Sequence, residues 1–374
     1  MKRLTFLGAV LLLLMGSPPV LRTEVVRQSS VSAGDLEQHI GLLTTYCITR
    51  TRRDNFNQHE TQRHRGTDMD RREILKSAIT GMVTLWASPL VRAAQQPAGG
   101  VRRLTDNLGI VDAGGTNVVV FSAGEGLVLV DSGAPKWGDT LTAALKSFAA
   151  SGKVQTLFNT HYHLDQTGNN EIFAAAGATI IAHDRTRQWM ASDYWVPAEE
   201  RYEKARPKPA WPTQTFLDKG SLKAGAEQID YGYLIEAHTS GDIYVLFKNS
   251  NVLAVGDVAS PQRDPALDYF TGAWIGGRVD AMDLVLKVSN DQTKIIPAYG
   301  PVMTRAEFKA ERDLMEEVRA RLFKQVREGD GPEDMLEGGV MKGLARTWKD
   351  PKKFLYDACK GLWAHHNKLD PNVV

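Results

Sequence analysis

The segment that most constrains this chain is residues 159–168, with the sequence NTHYHLDQTG. It directly follows residues 154–158, a short apolar run with high β-propensity, and a segment that favours a helix comes after it. In an extended chain the alternating His161, His163 and Asp165 project to one side. Two imidazoles and a carboxylate that converge from one loop are typical ligands of a divalent metal. The segment therefore predicts a metal site where a strand ends and a helix begins.

The composition argues against several classes of protein. With 374 residues, 43% of them apolar, the chain can form one large core or two smaller ones. A formal net charge of +1 gives no sign of a nucleic-acid partner, and we expect a small-molecule substrate instead. Cys47 and Cys359 are far apart in the sequence, so neither a C-x-x-C metal motif nor a disulfide framework is expected.

Two segments near the N-terminus resemble export signals. Residues 1–15 combine basic residues with an apolar run that is too short to cross a bilayer and fits a secretory signal. Residues 69–76, MDRREILK, resemble the twin-arginine signature, and small residues suited to signal-peptidase cleavage follow at 92–95. We predict that residues 1–100 are a leader outside the core. The mature chain is then periplasmic or secreted, without stable membrane association.

Beyond residue 100, short β-branched runs alternate with glycine-containing turns, which predicts a meander of strands. These runs are residues 110–113, 117–121 and 127–130. Residues 140–150 carry apolar side chains at helical spacing and predict a helix that covers the sheet. Strands at 154–158 and 178–182 complete this half, with the histidine-containing segment between them.

Residues 194–212 interrupt the pattern of strands and helices. This segment contains four prolines, which disfavour regular structure, and four aromatic residues. A long aromatic loop between two halves of a sheet protein is typical of a pocket wall or lid. A loop that wraps the core with buried rings is the other interpretation.

The second half repeats the order of strands followed by helices. Strands are predicted at residues 229–231, 234–237, 243–247, 252–255 and 294–297, and a helix at 281–288. Thr304 and Glu307 have the spacing of a capping box, which predicts a helix that ends at Gly329, and residues 351–367 predict a last helix. Both halves of the chain thus have strands followed by helices. This order predicts two packed sheets with helices on their outer faces.

Three further candidate ligands directly follow predicted strands of this second half: His238, Asp257 and Tyr299. Together with the segment at 159–168, these motifs resemble the metallo-β-lactamase superfamily over roughly residues 105–305. The resemblance implies an α/β fold, a four-layer αβ/βα sandwich of two mixed β-sheets. It also implies a metallo-β-lactamase-like domain at 101–304 and a C-terminal helical extension, residues 305–374, packed on that core.

The resemblance assigns roles to most of these residues. His161, His163 and His238 match the histidines that hold a first metal. Asp165 and Asp257 match carboxylates that serve a second metal, and the latter often bridges both. Asp131, at the end of an early strand, matches an aspartate that supports the site from outside the ligand set. From the residues alone, Asp165 and Asp257 are also compatible with ordinary structural carboxylates.

Two positions depart from the family pattern. Gln166 and Tyr299 stand where the family usually has histidines of the second metal site, and an amide and a phenol are poor zinc ligands. We therefore expect one tightly bound zinc and a second site that is weak or empty. In this reading Asp165 orients or deprotonates the attacking water and Tyr299 donates to an oxyanion, although both Gln166 and Tyr299 also suit packing roles.

The resemblance implies an exported zinc-dependent hydrolase that cleaves a small ester, thioester, lactone or amide through a metal-bound hydroxide. Two alternatives remain open. The missing histidines are compatible with a non-catalytic ligand-binding protein on the same fold. His161, His238 and Asp257 would also form the two-histidine, one-carboxylate face of a mononuclear iron oxygenase.

Two export signals in one chain lead to a prediction about its start. We expect translation to begin at Met69, so that residues 1–68 are absent from the natural protein. Mass spectrometry of the natural N-terminus checks this, and a cellular peptide from residues 20–60 would contradict it. In that case residues 1–20 are the working signal and Arg71-Arg72 is coincidental.

Overall fold

Short β-branched runs form the strands of two large sheets in the computed structural model, which describes residues 100–367. The predicted export signals and Cys47 lie outside these residues. Within the described part, the strands are β1 (Val101–Arg103), β2 (Leu108–Asp112), β3 (Asn117–Ser122), β4 (Leu127–Val130), β5 (Val154–Phe158), β6 (Thr179–His183), β7 (Tyr194–Val196), β8 (Arg201–Glu203), β9 (Gln214–Phe216), β10 (Lys219–Ala224), β11 (Glu227–Tyr233), β12 (Ile243–Phe247), β13 (Val252–Gly256) and β14 (Lys294–Pro297). The α-helices there are α1 (Gly138–Phe148), α2 (Leu164–Thr167), α3 (Asn170–Ala175), α4 (Asp184–Ala191), α5 (Ile275–Val288), α6 (Arg305–Glu328), α7 (Pro332–Glu337) and α8 (Pro351–Asn367).

Both large sheets are mixed. The first has the strand order β1-β2-β3-β4-β5-β6-β9, antiparallel from β1 to β4 and parallel from β4 to β9. The second has the order β10-β11-β12-β13-β14, antiparallel except for the parallel pair β13 and β14. The carboxyl ends of parallel strands meet at one edge of a sheet, so the loops after β4, β5, β13 and β14 are suited to carry a shared site.

The two sheets pack against each other through aromatic and branched side chains. Phe121 of the first sheet lies 5.6 Å from Phe247 of the second, and Phe158 lies 5.0 Å from Tyr231, measured between ring centroids. Phe158 and Phe247 are fully buried, and burial of each such side chain contributes roughly 1.5–3 kcal/mol. The inner faces of the sheets thus form one core cluster, which fixes the sheets against each other.

The outer face of each sheet is covered by helices. On β3, Val119 and Phe121 belong to the core between the sheets, whereas Val118 and Val120 pack in a second cluster with Leu141 of α1. The second sheet is covered in the same way by α5, α6 and α8, which supply a third cluster. The layer order helix, sheet, sheet, helix confirms the predicted αβ/βα sandwich of two mixed sheets.

Most predicted elements lie within a few residues of the observed ones, but two predictions are wrong. Residues 234–237 form a turn rather than a strand, and Glu236 has a left-handed backbone with φ of 48°, which no strand accommodates. Residues 194–203 are not irregular, because β7 and β8 pair as an antiparallel hairpin. Pro197 lies in the turn between the two strands and the other three prolines follow the hairpin, so none of them removes a hydrogen bond from the pairing.

The helices after β14 pack on the second sheet. Phe308, Met315 and Leu322 of α6 are buried in the same cluster as Leu253 and Ile295 of that sheet. From α8, Phe354, Ala358 and Leu362 join them, with the buried free thiol of Cys359 nearby.

The domain boundaries predicted at residues 100 and 304 stay predictions. Among residues 100–367, no helix has the length and apolar character needed to cross a lipid bilayer.

The capping box that opens α6 generates a stability prediction. The Thr304 hydroxyl accepts from the Glu307 N–H, and the Glu307 carboxylate accepts from the Thr304 N–H. We expect Thr304→Ala to lower the free energy of unfolding by about 1 kcal/mol, because the cap is lost while the core is untouched. Unfolding by urea titration measures this difference in the free energy of unfolding. Lys324→Ala, an exposed change in the same helix, is the control, and equal stability of both variants would contradict the prediction.

Candidate metal centre

Three histidines from two separate loops converge at one edge of the sheets. His161 and His163 lie in the loop that follows β5, and His238 lies in the turn between β11 and β12. One ring nitrogen of each falls within 4.8 Å of the other two. His163 Nδ1 and His238 Nε2 are 3.0 Å apart. The sequence placed these histidines 75 residues apart, and the packing of the two sheets brings them together.

His161 is oriented by a chain of hydrogen bonds on its outer side. Thr160 donates its hydroxyl proton to Asp131 at 2.8 Å, so its oxygen is free to accept from His161 Nδ1 at 3.0 Å. This contact places the proton of His161 on Nδ1 and leaves the lone pair on Nε2. That Nε2 atom is buried and has no hydrogen-bond partner among residues 100–367.

The other two histidines are held in the same manner. His238 Nδ1 lies 2.9 Å from the carbonyl oxygen of Ala266, which can only accept, so Nε2 carries the lone pair. His163 Nε2 lies 3.1 Å from a carboxylate oxygen of Asp268, so Nδ1 carries the lone pair. Asp268 also accepts the hydroxyl proton of Tyr162. Hydrogen bonds of this kind fix the tautomer of metal-binding histidines in proteins.

The donor set fits a metal ion. Three imidazole nitrogens that each present a lone pair repel one another unless a metal ion, or a proton on His163, lies between them. Nitrogens at zinc distances of about 2.0–2.1 Å in a tetrahedral site are separated by about 3.4 Å, close to the 3.0 Å between His163 and His238. The Nε2 atom of His161 is buried without a hydrogen-bond partner among the described residues, so its lone pair also needs a cation to bind. His161, His163 and His238 are therefore consistent with a metal site.

Burial controls the protonation of these rings. It lowers the pKa of His161 and of His238 well below the ordinary value, which keeps both rings in the neutral form that binds metals. For His163, burial acts in the same direction, but the hydrogen bond to Asp268 and the negative charges of Asp268, Asp165 and Asp257 together outweigh it, and the pKa is raised. His163 can therefore take up a proton on Nδ1, next to a carboxylate, and a metal ion would compete with that proton for the same lone pair.

Asp131 supports this arrangement from the end of β4. Its backbone has φ of 65°, a left-handed conformation that is rare outside glycine and typical of functional sites. Its two carboxylate oxygens accept from the backbone N–H and from the hydroxyl of Thr160, both at 2.8 Å. Burial raises the pKa of Asp131 to about 8, against the lowering effect of Thr160. A cation held by the histidines would favour its ionised form.

Asp257 lies between the histidines and an arginine. Its Oδ2 atom is 3.7 Å from His161 Nε2 and 3.6 Å from His238 Nε2. Its Oδ1 atom accepts from the guanidinium of Arg263 at 2.6 Å. Only 3% of the Asp257 side chain is exposed, so the guanidinium is its principal counter-charge. Burial opposes the charge of Arg263, but Asp257 and Tyr299 outweigh that effect and its pKa is raised.

Asp165 and Tyr299 are joined to each other. The segment that follows β5 bends and enters α2 at Leu164, so Asp165 lies in the first turn of a helix rather than on an extended chain. Its carboxylate accepts the hydroxyl proton of Tyr299. Burial and the nearby Asp165 raise the pKa of Tyr299, which keeps it a hydrogen-bond donor. The neighbouring Gln166 is fully buried, and its amide atoms have no hydrogen-bond partner among residues 100–367.

A cavity of about 830 Å³ opens over this cluster. His163, His238, Asp165 and Asp257 line its floor together with Arg263. Its wall includes four aromatic residues, Tyr162, Tyr194, Tyr269 and Phe270, beside aliphatic ones. The rings of Tyr194 and Phe270 are nearly parallel, with centroids 6.2 Å apart. The hairpin of β7 and β8 thus supplies part of a pocket wall, one of the two roles considered for it.

Sequence reasoning missed several residues that shape the site. On an extended chain Tyr162 would point away from His161 and His163, but the segment bends and the ring centroids of Tyr162 and His163 are 4.4 Å apart. Asp268, Ala266 and Arg263 come from the loop after β13, which has no periodic pattern. The one signal for this loop was its position between Asp257 and α5, at the edge where the other ligands lie.

The chain is similar to several known proteins. The sequence profile of the metallo-beta-lactamase superfamily matches residues 111–300. A curated relative, the 2,4-dinitroanisole O-demethylase subunit alpha of Nocardioides sp. (strain JS1661), is 26% identical over 219 residues. That alignment covers 57% of this chain, and the chain spans 57% of the length of the relative.

Two solved structures are also similar. The metallo-beta-lactamase from Pontibacter korlensis has 18% identity, a TM-score of 0.48, and coverage of 58% of this chain and 98% of its own. The DIM-1 metallo-beta-lactamase has 19% identity, a TM-score of 0.45, and coverage of 58% and 96%.

The superfamily profile spans half of the chain and includes the loops that carry the three histidines, Asp257 and Tyr299. On these grounds the chain belongs to the metallo-beta-lactamase superfamily.

Proposed function

We propose that this chain is a zinc-dependent hydrolase that cleaves a small ester, thioester, lactone or amide. The observation that carries the proposal is the orientation of three imidazoles, whose outer nitrogens are all bound to acceptors and whose inner nitrogens face one another. A histidine set without cysteine favours zinc among common catalytic metals. The cavity above the histidines gives a small molecule access to them.

The chemistry divides between the metal and the chain. Zinc held by His161, His163 and His238 would supply a Lewis acid and lower the pKa of a coordinated water to about 7. Asp165 lines the cavity and has a carboxylate suited to accept a proton from the attacking water. Tyr299 holds that carboxylate through its hydroxyl. The oxyanion role predicted for Tyr299 stays a prediction, and orientation of Asp165 is a second role for the same hydroxyl.

Aryl methyl ethers are a second candidate substrate class. The relative named 2,4-dinitroanisole O-demethylase subunit alpha and the aromatic cavity wall of Tyr162, Tyr194 and Phe270 both favour an electron-poor aromatic ring. In such a hydrolysis water adds to the ring carbon that bears oxygen, and the alkoxy group leaves as methanol. The products are a phenol and methanol, and no oxidant is needed. A substrate panel should therefore include 2,4-dinitroanisole beside esters, thioesters, lactones and amides.

The two alternatives make different predictions about metal and turnover. A ligand-binding protein would retain a small molecule in the cavity and show no turnover at any metal loading. An iron oxygenase would use His161, His238 and Asp257, whose Oδ2 lies near both imidazoles, and would contain about one iron. Elemental analysis of protein purified without added metal separates iron from zinc.

Export to the periplasm or medium is part of our proposal and rests on the sequence of residues 1–95.

Removing either histidine of the HxH motif should abolish metal binding and activity. We expect His161→Ala and His163→Ala each to lower the zinc content from about one ion per chain to well below one, and to reduce kcat/KM by at least about 100-fold. Elemental analysis and the substrate panel measure both. His366→Ala, an exposed histidine on α8, is the control. Activity that survives both changes would reject the hydrolase assignment.

Removing the Tyr299 hydroxyl should affect turnover rather than metal binding. In Tyr299→Phe the ring remains, but Asp165 loses its positioning hydrogen bond, and we expect kcat to fall about 10- to 100-fold. Zinc content and KM should stay near the values of the unmodified protein. Tyr244→Phe, on β12, is the matched control. An unchanged kcat in Tyr299→Phe would exclude both the positioning and the oxyanion role.

A further inference from the structure

Arg263 lies where the carboxylates bordering the histidines would otherwise receive a second cation. Its guanidinium donates to Asp257 Oδ1 at 2.6 Å, and its Cζ atom is 3.4 Å from the centre of the Tyr299 ring. The Tyr299 hydroxyl in turn donates to Asp165. The three residues that match the second metal site, Asp165, Asp257 and Tyr299, are thus engaged with one another or with Arg263.

We propose that the guanidinium of Arg263 replaces the second metal ion, so that this chain uses one metal and one built-in cation. Asp257 then bridges these two charges, because one oxygen faces His161 and His238 and the other binds Arg263. A planar guanidinium also stacks on an aromatic face, which is how Tyr299 receives it. A histidine at position 299 would instead present a metal ligand.

A second metal and this guanidinium exclude each other. Both carry positive charge and both need the same oxygen of Asp257, whose side chain is only 3% exposed. A divalent ion could bind there only after the hydrogen bond between Arg263 and Asp257 is broken and the two cations are separated. Charge-assisted bonds of this kind are the stronger class of hydrogen bond in proteins.

The loop that carries Arg263 is held in place by the segment before α8. The side chain of Arg346 donates to the backbone carbonyl oxygens of Ser260 and Arg263. The carboxylate of Asp264 accepts from the backbone N–H groups of Lys349 and Asp350, at 2.9 and 2.7 Å. Both sides of the Arg263 backbone are therefore fixed by direct contacts, so the guanidinium is preorganised rather than recruited when a ligand binds.

The position of Arg263 also indicates what it does for the reaction. About one third of its side chain is exposed, and it lines the same cavity floor as His163 and His238. N–H groups not bound to Asp257 can donate to a negatively charged oxygen of the substrate or of the leaving group. A substrate that carries a carboxylate, or that releases a phenolate or carboxylate, fits this floor.

This inference rests on the three-histidine metal site of the proposed function, but not on the reaction. Its test is a zinc titration of purified protein, followed by calorimetry and elemental analysis after dialysis. The variants are Gln166→His with Tyr299→His, which restores both histidines of the family pattern, and the same pair combined with Arg263→Gln. Glutamine retains a hydrogen-bond donor for Asp257 and removes the charge, which limits the risk of misfolding.

We expect one zinc per chain in the unmodified protein and one in the variant with two added histidines, because Arg263 remains. Adding Arg263→Gln to the double-histidine variant should raise the zinc content to two ions per chain. The Kd of the second site should be at least tenfold lower than in the double-histidine variant that retains Arg263. Arg312→Gln is the matched control, since Arg312 is also paired with an aspartate, Asp283, at 2.7 Å, but outside the site.

Two outcomes would overturn the inference. Two tightly bound zinc ions in the double-histidine variant that retains Arg263 would show that missing histidines alone exclude the second metal. A single zinc in the variant with Arg263→Gln, with a native circular dichroism spectrum, would show that the charge is not what excludes it. If the unmodified protein binds no zinc, the proposed function is rejected together with this inference.

Discussion

The arrangement of the site depends on three imidazole lone pairs that are made to face each other. Each ring is held from behind by an acceptor: the Thr160 hydroxyl, the Ala266 carbonyl or the Asp268 carboxylate. Without a cation this geometry is electrostatically unfavourable, and it persists only because the surrounding structure enforces it. The free energy of folding therefore stabilises a pre-formed pocket for positive charge, which a metal then satisfies.

That enforcement comes from the packing of two sheets. The strand β5 delivers His161 and His163, the turn after β11 delivers His238, and the strands β13 and β14 place Asp257 and Tyr299. Phe158, the last residue of β5, packs on Tyr231 of β11, so the core contact and two of the ligand loops are close neighbours in sequence. Core packing and ligand geometry are thus coupled through a few rigid strands.

Periodicity predicted the layers and the central strands because β3, β4 and β13 are buried on both faces and read as apolar runs. The capping box at Thr304 was predictable because it is a local pattern. The strand proposed at 234–237 failed because its apolar residues suit a strand while Glu236 adopts a left-handed turn. The roles of Asp268 and Arg263 were beyond prediction, since both lie on a loop without a periodic pattern and Asp268 contacts a histidine 105 residues away. The extended chain assumed for Asp165 was wrong, because this residue lies in the first turn of α2, where its carboxylate accepts from Tyr299.

The cavity wall is not confined to the region shared with the superfamily. Lys353 and Asp357 of α8 border the same space as His163 and His238, although α8 begins some fifty residues after the end of the matched segment. The candidate metal ligands therefore lie inside the matched segment, whereas Lys353 and Asp357 on the cavity wall lie beyond it. A substitution in α8 can alter the surroundings of a bound molecule without changing the three histidines.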